Sequence, residues 1–272
     1  MKSESVVLDR ELVRIGSVPY LNAAPLVHGL GSGVRLAPPS QLAEWLRSGE
    51  IDVGLVSIAE VLENDCYDVV DGIGVGSDGP VYSVLLAHRV PLSELRTVAC
   101  DPASLTSVRL LQWLFAERGL RPEFVRMAAS TAPDPDATEG FLLIGDPAIA
   151  FRQSAAASAF QIWDLGQAWR ESTGLPFVYA VWAIRRDVEA APLVRRLLRA
   201  HDQGMAALDE IVRSRPEFDS ETRDRYLRLH IRYSIGERER RGMAAFASGL
   251  DRLEIVRTHP IRWIGVHESA PT

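Results

Sequence analysis

The sequence predicts an α/β protein of two lobes lying side by side around a cleft. Short apolar runs alternate with helical periodicities along most of the chain. The alternation runs once before about residue 92 and again after about residue 97. The 272 residues, 47% hydrophobic and 24% charged, suit two lobes of roughly 100–150 residues each.

Each element has a local reason. Residues 12–15 form a short apolar run and read as a strand. Asn22-Ala-Ala-Pro25 opens a helix, because proline is tolerated in a first turn. A second strand is expected over 34–37. Ser40 is expected to cap a helix that presents Leu42, Trp45 and Leu46 on one face and stops at Gly49. A third strand covers 51–56, and Ser57-Ile-Ala-Glu60 has the spacing of a capping box. Strands follow over 69–75 and 81–88, joined by the turn Gly76-Ser-Asp-Gly-Pro80. Gly72-Ile-Gly-Val-Gly76 lacks the phosphate-loop spacing and reads as a turn between strands.

The pattern then repeats: strand 97–100, helix 107–118 ending at Gly119, strand 124–127, a surface loop at 132–137 and a buried strand over 141–144. Residues 154–159 are a small-residue loop or short helix. A helix at 165–171 leads through Gly174-Leu-Pro176 into a strand over 177–184. Beyond Pro192 everything reads as helix, to about 213, then 221–229 and 237–250, with no new sheet.

Composition excludes several kinds of chemistry. The net charge is -6, from 36 acidic and 30 basic residues, which argues against nucleic acid as partner. Lys2 is the one lysine, an asymmetry that reads as codon bias. It leaves no internal lysine for a Schiff base or a Walker-type phosphate grip. Cys66 and Cys100 have no zinc-ligand or CxxC spacing and read as small buried hydrophobes in a reducing compartment. His28, His88, His201, His230, His259 and His267 show no paired-ligand spacing, so no metal is expected. No GxSxG elbow occurs. The arginines between 223 and 241 alternate with acids and read as a solvated helix face. The longest apolar run near the N-terminus is Val6-Val7-Leu8, and no stretch approaches the ~20 apolar residues of a membrane helix. A cytoplasmic protein without membrane partner is expected.

Ligands of open α/β sheets sit where strands end and helix N-termini converge. Four such junctions are candidates: Ser17-Val-Pro-Tyr20-Leu-Asn22, Ser57, Ser104-Leu-Thr106-Ser107 and Gly145-Asp146. Each sets small polar groups beside unpaired helix N–H donors, which together can hold a carboxylate without lysine or arginine.

Those residues carry a resemblance. Ser17-Val-Pro-Tyr-Leu-Asn-Ala-Ala-Pro-Leu26 resembles the N-terminal signature of the menaquinone-biosynthesis proteins of the futalosine pathway. Asp52-Val-Gly-Leu-Val-Ser57, Ser104-Leu-Thr-Ser-Val108, Leu143-Ile-Gly-Asp-Pro-Ala148 and Gly174-Leu-Pro-Phe-Val-Tyr-Ala-Val-Trp182 match in the same order, from about residue 13 to 250. The similarity is to the chorismate dehydratases, also called 3-[(1-carboxyvinyl)oxy]benzoate synthases, which are hydro-lyases. It implies a type II periplasmic-binding-protein-like fold, a two-lobed Venus flytrap. Lobe 1 would be 11–92 plus 180–272, and lobe 2 would be 93–179. A later enzyme of the same pathway, acting on cyclic dehypoxanthine futalosine, shares the fold. It carries a catalytic histidine after the strand matching 141–144, where this chain has Gly145 and Asp146; the departure favours the dehydratase.

The resemblance implies chorismate as substrate, with no cofactor. Asn22, Ser83 and Asp146 are the expected catalytic residues. Ser17, Tyr20, Ser57, Ser104, Thr106, Ser107 and Gly145 are the expected substrate-binding ones. Either the substrate's enolpyruvyl carboxylate or Asp146 takes the proton. The reading admits a homodimer and hand-over of product to the next pathway enzyme, and the sequence sets neither. The other class is a solute or sensory receptor that binds a carboxylate and catalyses nothing. The missing signal peptide counts against a transport receptor.

Overall fold

The computed structural model describes residues 13–101, 104–127 and 139–265. The expected loop at 132–137 and the outer ends of lobe 1 lie outside them.

The chain opens with β1 (Ile15–Ser17), a 3₁₀ turn at Leu21–Ala23 and α1 (Ala24–Val27), with Pro25 in its first turn. β2 (Val34–Leu36) leads into α2 (Pro39–Ser48). Ser40 lies inside α2 rather than at its cap; Pro38 occupies the cap with no side-chain bond, because Pro39 already has the φ of a first helical residue. β3 (Val53–Ser57) is buried along nearly its whole length, as befits a central strand covered on both faces. It runs into α3 (Ile58–Glu63), where Ser57 Oγ accepts from Glu60 N at 3.2 Å. Only that half of the expected capping box forms. The Glu60 carboxylate turns instead to Arg47, 2.6 Å away, and to the Tyr67 hydroxyl at 2.9 Å.

β4 (Tyr67–Ser77) is one long strand, so Gly72–Gly76 is not a turn. The glycines serve its close pairing with β10. A Cβ at Gly74 would stand 2.8 Å from Ala180 O, and one at Gly76 2.8 Å from Phe177 O. β5 (Val84–His88), β6 (Thr97–Cys100), α4 (Leu105–Glu117), β7 (Glu123–Arg126), β8 (Gly140–Ile144) and α5 (Gly145–Gln153) follow. A 3₁₀ turn at Ala155–Ala159 precedes β9 (Gln161–Asp164), a strand the sequence reading did not anticipate. α6 (Leu165–Thr173) and β10 (Phe177–Arg185) complete the strand-rich part. Then come α7 (Ala190–Ala206), α8 (Leu208–Ser214), α9 (Ser220–Arg225), a π-turn at Tyr226–His230, β11 (Arg232–Ser234), α10 (Glu237–Arg252) and β12 (Trp263–Ile264).

The strands form two sheets. The first runs β11-β4-β10-β3-β1-β2, with β12 beside β4; the second runs β7-β6-β8-β5-β9. Both are mixed. β10 is antiparallel to β3 and β4, and β5 is antiparallel to β8 and β9. The C-terminal part, read from the sequence as all helix, also contributes β11 and β12; both join the first sheet, so it forms no new sheet, as expected. The chain leaves the first sheet after Ser77, enters the second at Val84, leaves it after Asp164 and re-enters the first at Phe177. The first crossing precedes the boundary at 92 that the resemblance implies, because β5 pairs with β8 and not with β4; the second lies between Asp164 and Phe177, just ahead of 180.

Trp169 of α6 is fully buried behind the returning crossing, with rings of Trp113, Phe177 and Phe246 at 4.8, 5.2 and 5.9 Å. This cluster joins α4 and α6 to β10 and α10 by dense apolar packing. Two side chains depart from expectation. Cys66 is exposed, while Cys100 is buried. Arg223 is buried and donates to Val212 O at 2.7 Å and Glu217 O at 3.0 Å, so it pins α9 rather than facing water.

Candidate active site

The cleft between the sheets is lined by residues of both. The junctions read from the sequence meet there. Tyr20 and Asn22 come from the turn after β1, and Ser57 from the end of β3. Ser104, Thr106 and Ser107 come from the start of α4, Ser83 from the crossing before β5, and Gly145 from the start of α5. None of the lining residues among those described carries a charged side chain. Two expected residues are elsewhere. Ser17 is buried beneath the site, its hydroxyl 3.4 Å from Val18 O. Asp146 is not in the lining; its carboxylate accepts from Leu21 N at 3.1 and 3.3 Å and so ties α5 to the turn that carries Asn22.

The hydroxyls are held in one sense. Ser57 Oγ accepts from Glu60 N, and Thr106 Oγ1 accepts from Ala59 N at 3.1 Å across the cleft. Each oxygen accepts one backbone hydrogen bond and keeps its own O–H as a donor. Ser104 is 3% exposed and its Oγ has no partner among the described residues. A buried hydroxyl without a partner is costly, so this one points to an acceptor on a ligand. α4 has no side-chain cap, and its first intrahelical bond is Val108 N to Ser104 O at 3.0 Å. Leu105, Thr106 and Ser107, in the first turn of this 13-residue helix and so at its positive end, line the same space. Such donors can hold a carboxylate without a cationic side chain.

The opposite wall carries a hydrogen-bonded chain that the sequence reading missed. Tyr226, from the π-turn, is 1% exposed and donates its phenol proton to Ser83 Oγ at 2.6 Å. Asn22 and Ser83 both line the cleft. Asp164 was missed as well. It caps α6 through Gln167 N at 3.1 Å and accepts from Val81 N at 3.0 Å and Tyr82 N at 2.8 Å. Those bonds fix the crossing at Tyr82, whose φ of 68° is unusual for a bulky residue, and so set the position of Ser83. The signal for Asp164 was an N-cap ahead of a helical pattern; nothing local marks Tyr226.

Gly145 is required by its surroundings. Its φ is 62°, and a Cβ would stand 2.9 Å from the Tyr20 ring. Burial, with smaller effects of Asp101 and Asp146, pushes the Tyr20 phenol up to about 12. Burial also raises Tyr179 and Tyr226, so these phenols stay neutral. Asp146 is raised by burial, against the opposing pull of its bond from Leu21 N. No group of three or more His, Cys, Asp or Glu side chains among the described residues is placed to hold a metal ion. No described helix is long and apolar enough to cross a membrane.

Two mixed sheets around a donor-lined cleft define the periplasmic-binding-protein class of fold. Solved structures agree. The chain is similar to protein AF1704 from Archaeoglobus fulgidus, with a TM-score of 0.70 at 18% identity over 90% of this chain and 98% of that one. It is also similar to the MOPS-bound alkanesulfonate-binding protein SsuA from Xanthomonas axonopodis pv. citri, with a TM-score of 0.65 at 15% identity over 92% and 94%. At such identity the likeness concerns the fold alone. The family follows from the sequence: a menaquinone-biosynthesis family model matches residues 13–251, and the chain belongs to that family. It is 34% identical to the chorismate dehydratase of Thermus thermophilus, across 87% of this chain and 94% of that protein.

Proposed function

We propose that the protein is a chorismate dehydratase, a carbon–oxygen hydro-lyase converting chorismate to 3-[(1-carboxyvinyl)oxy]benzoate and water. The relationship to the Thermus thermophilus enzyme over nearly the full length of both chains carries the reading. The cleft supports it. Chorismate is a dianion, and the wall offers oriented hydroxyls and an uncapped helix N-terminus in place of cationic side chains.

The reaction removes the ring hydrogen on the carbon bearing the ether, together with the neighbouring hydroxyl. The C–H electrons become the last π bond of the aromatic ring, and the C–O pair leaves with the hydroxyl oxygen. The hydrogen is γ to the ring carboxylate through a double bond, so charge developing on the ring spreads to that carboxylate. Donors from Ser57, Ser104, Thr106 and Ser107 stabilise it there. Among the described residues the lining supplies no carboxylate or imidazole to take the proton. The substrate's enolpyruvyl carboxylate takes it and releases it to the departing hydroxide, giving one water. Asn22 and Ser83 bind the departing hydroxyl. Closure of the lobes excludes water and fixes the reacting groups.

The test is incubation of the pure protein with chorismate alone, followed by chromatography and mass spectrometry. Accumulation of an aromatic product one water lighter than chorismate is expected. Saturable binding without that product would make the chain a receptor.

A further inference from the structure

We infer that Arg109 is a positioning residue for the carboxylate-holding end of the cleft: its ion pair with Glu63 sets the hydroxyls at the head of α3 against those at the head of α4. The two helices belong to different sheets, α3 following β3 and α4 following β6. Ser57, which caps α3, and Ser104, Thr106 and Ser107, at the head of α4, line the cleft. Their relative placement depends on both lobes, and neither sheet fixes it alone.

Two contacts fix it. Thr106 Oγ1 accepts from Ala59 N at 3.1 Å. One turn further along each helix, Arg109 Nε donates to Glu63 Oε1 at 2.8 Å and Arg109 Nη2 to Glu63 Oε2 at 3.2 Å. Thr106 and Arg109 stand at i and i+3 on α4, and Ala59 and Glu63 at i and i+4 on α3, so each pair shares a helix face. One contact alone would leave the helices free to pivot about it, and the second stops the pivot. The guanidinium fork meets both carboxylate oxygens, which fixes direction as well as distance. Gln112, one turn on, accepts from Arg109 Nη1 at 3.2 Å and steadies the fork. The side chains of Arg109 and Glu63 are 22% and 18% exposed, and neither is among the residues that line the cleft. Arg109 thus acts through the helices and touches no ligand.

This inference rests on the dehydratase reading for the identity of the bound anion. The Ser104 hydroxyl, buried without a partner among the described residues, marks where that anion is held. A shift of α4 against α3 would weaken donors to the bound anion and to the transition state alike. kcat/KM should therefore fall by at least the factor by which binding weakens, because charge on the carboxylate grows toward the transition state.

The experiment measures kcat/KM, melting temperature and, by calorimetry, the dissociation constant of 3-[(1-carboxyvinyl)oxy]benzoate, which keeps both carboxylates and does not turn over. It compares wild type, Arg109→Met, Arg109→Lys, Glu63→Met and the charge-exchanged double variant Glu63→Arg/Arg109→Glu. Arg252→Met is the control: Arg252 of α10 pairs with Glu117 at the far end of α4 and so joins the same two lobes away from the cleft. Arg109→Met and Glu63→Met should each raise the dissociation constant about five- to 30-fold, the range for a charged hydrogen-bonded pair discounted for its partial exposure. Arg109→Lys keeps the charge without the fork and should raise it about three- to fivefold. The double variant should return to within about threefold of wild type. Arg252→Met should stay within about twofold, whatever it does to the melting temperature. A change under about twofold in Arg109→Met, or in Arg109→Lys where the methionine variant does not fold, would overturn the inference. So would a double variant that binds no better than the single ones, or a control that weakens binding as much as Arg109→Met. Wild type that binds this compound but makes no aromatic product from chorismate would count against the dehydratase reading, while the series of dissociation constants would still test Arg109.

Discussion

Asp146 separates two accounts of the proton transfer, and its surroundings give the size of the effect. Both carboxylate oxygens lie within reach of Leu21 N, at 3.1 and 3.3 Å, and Leu21 is wholly buried. Asn22 follows directly in the chain. If Asp146 is a clasp, Asp146→Asn keeps an oxygen for Leu21 N and sheds the cost of a partly buried charge. kcat and KM should each stay within about threefold of wild type. Asp146→Ala leaves a buried N–H without an acceptor, at about 1–3 kcal/mol, or about five- to 150-fold in the population of the closed arrangement. Its kcat/KM should fall by that factor. If Asp146 were the base, Asp146→Asn would lose the typical ~10²–10⁴ of general base catalysis in kcat while chorismate still bound. Steady-state kinetics with isothermal titration distinguishes the cases, and a loss beyond about 100-fold in Asp146→Asn would refute the clasp.

Other outcomes follow from the same contacts. Gly145→Ala forces a side chain into a φ of 62° and sets its Cβ 2.9 Å from the Tyr20 ring. About 1–3 kcal/mol of strain should lower the melting temperature and reduce kcat/KM about tenfold or more. Thr106→Val strands Ala59 N, a fully buried donor now 3.1 Å from Thr106 Oγ1. Its KM for chorismate should rise about five- to 150-fold, and unchanged binding would remove this bond from the closure. Stability in acid tests Asp52. Burial alone would raise its carboxyl, but the Arg14 bonds, 2.8 Å from the backbone N and 3.1 Å from Nε, hold it below the ordinary value. A depressed folded-state value gives stability that is present above the unfolded value, near about 4, and lost as pH falls through the folded one. Asp52→Asn should therefore be less stable than wild type at neutral pH, and the gap should close on acidification. A constant gap would contradict the linkage.

Much of the fold was legible because its signals are local. The strand-to-helix junctions, β6, the Ser57 cap and the αL end of α2 at Gly49 follow from short patterns. The sheet to which each strand belongs was not legible. β5 has the same apolar character whether it pairs with β4 or with β8, and only the tertiary arrangement decides. β11 and β12 have three and two residues, too few for alternation to show. Eight of the ten proposed site residues line the cleft, since a helix N-terminus after a strand is visible as a small polar residue between two patterns. Ser17 and Asp146 share that signature but face the core and the neighbouring turn, because spacing along the chain does not give the rotation of a side chain. Tyr226 is 143 residues from Ser83, so nothing local could pair them.

The dependence of wild-type kcat on pH tests most directly whether the substrate supplies its own base. The lining has no charged side chain among the described residues, and Tyr20 is pushed up to about 12. The enolpyruvyl carboxylate is already ionised at neutrality. A kcat that is flat from about pH 6 to 9 is therefore expected. An acid limb within that range, abolished by Asp146→Asn, would mean that the protein supplies the base.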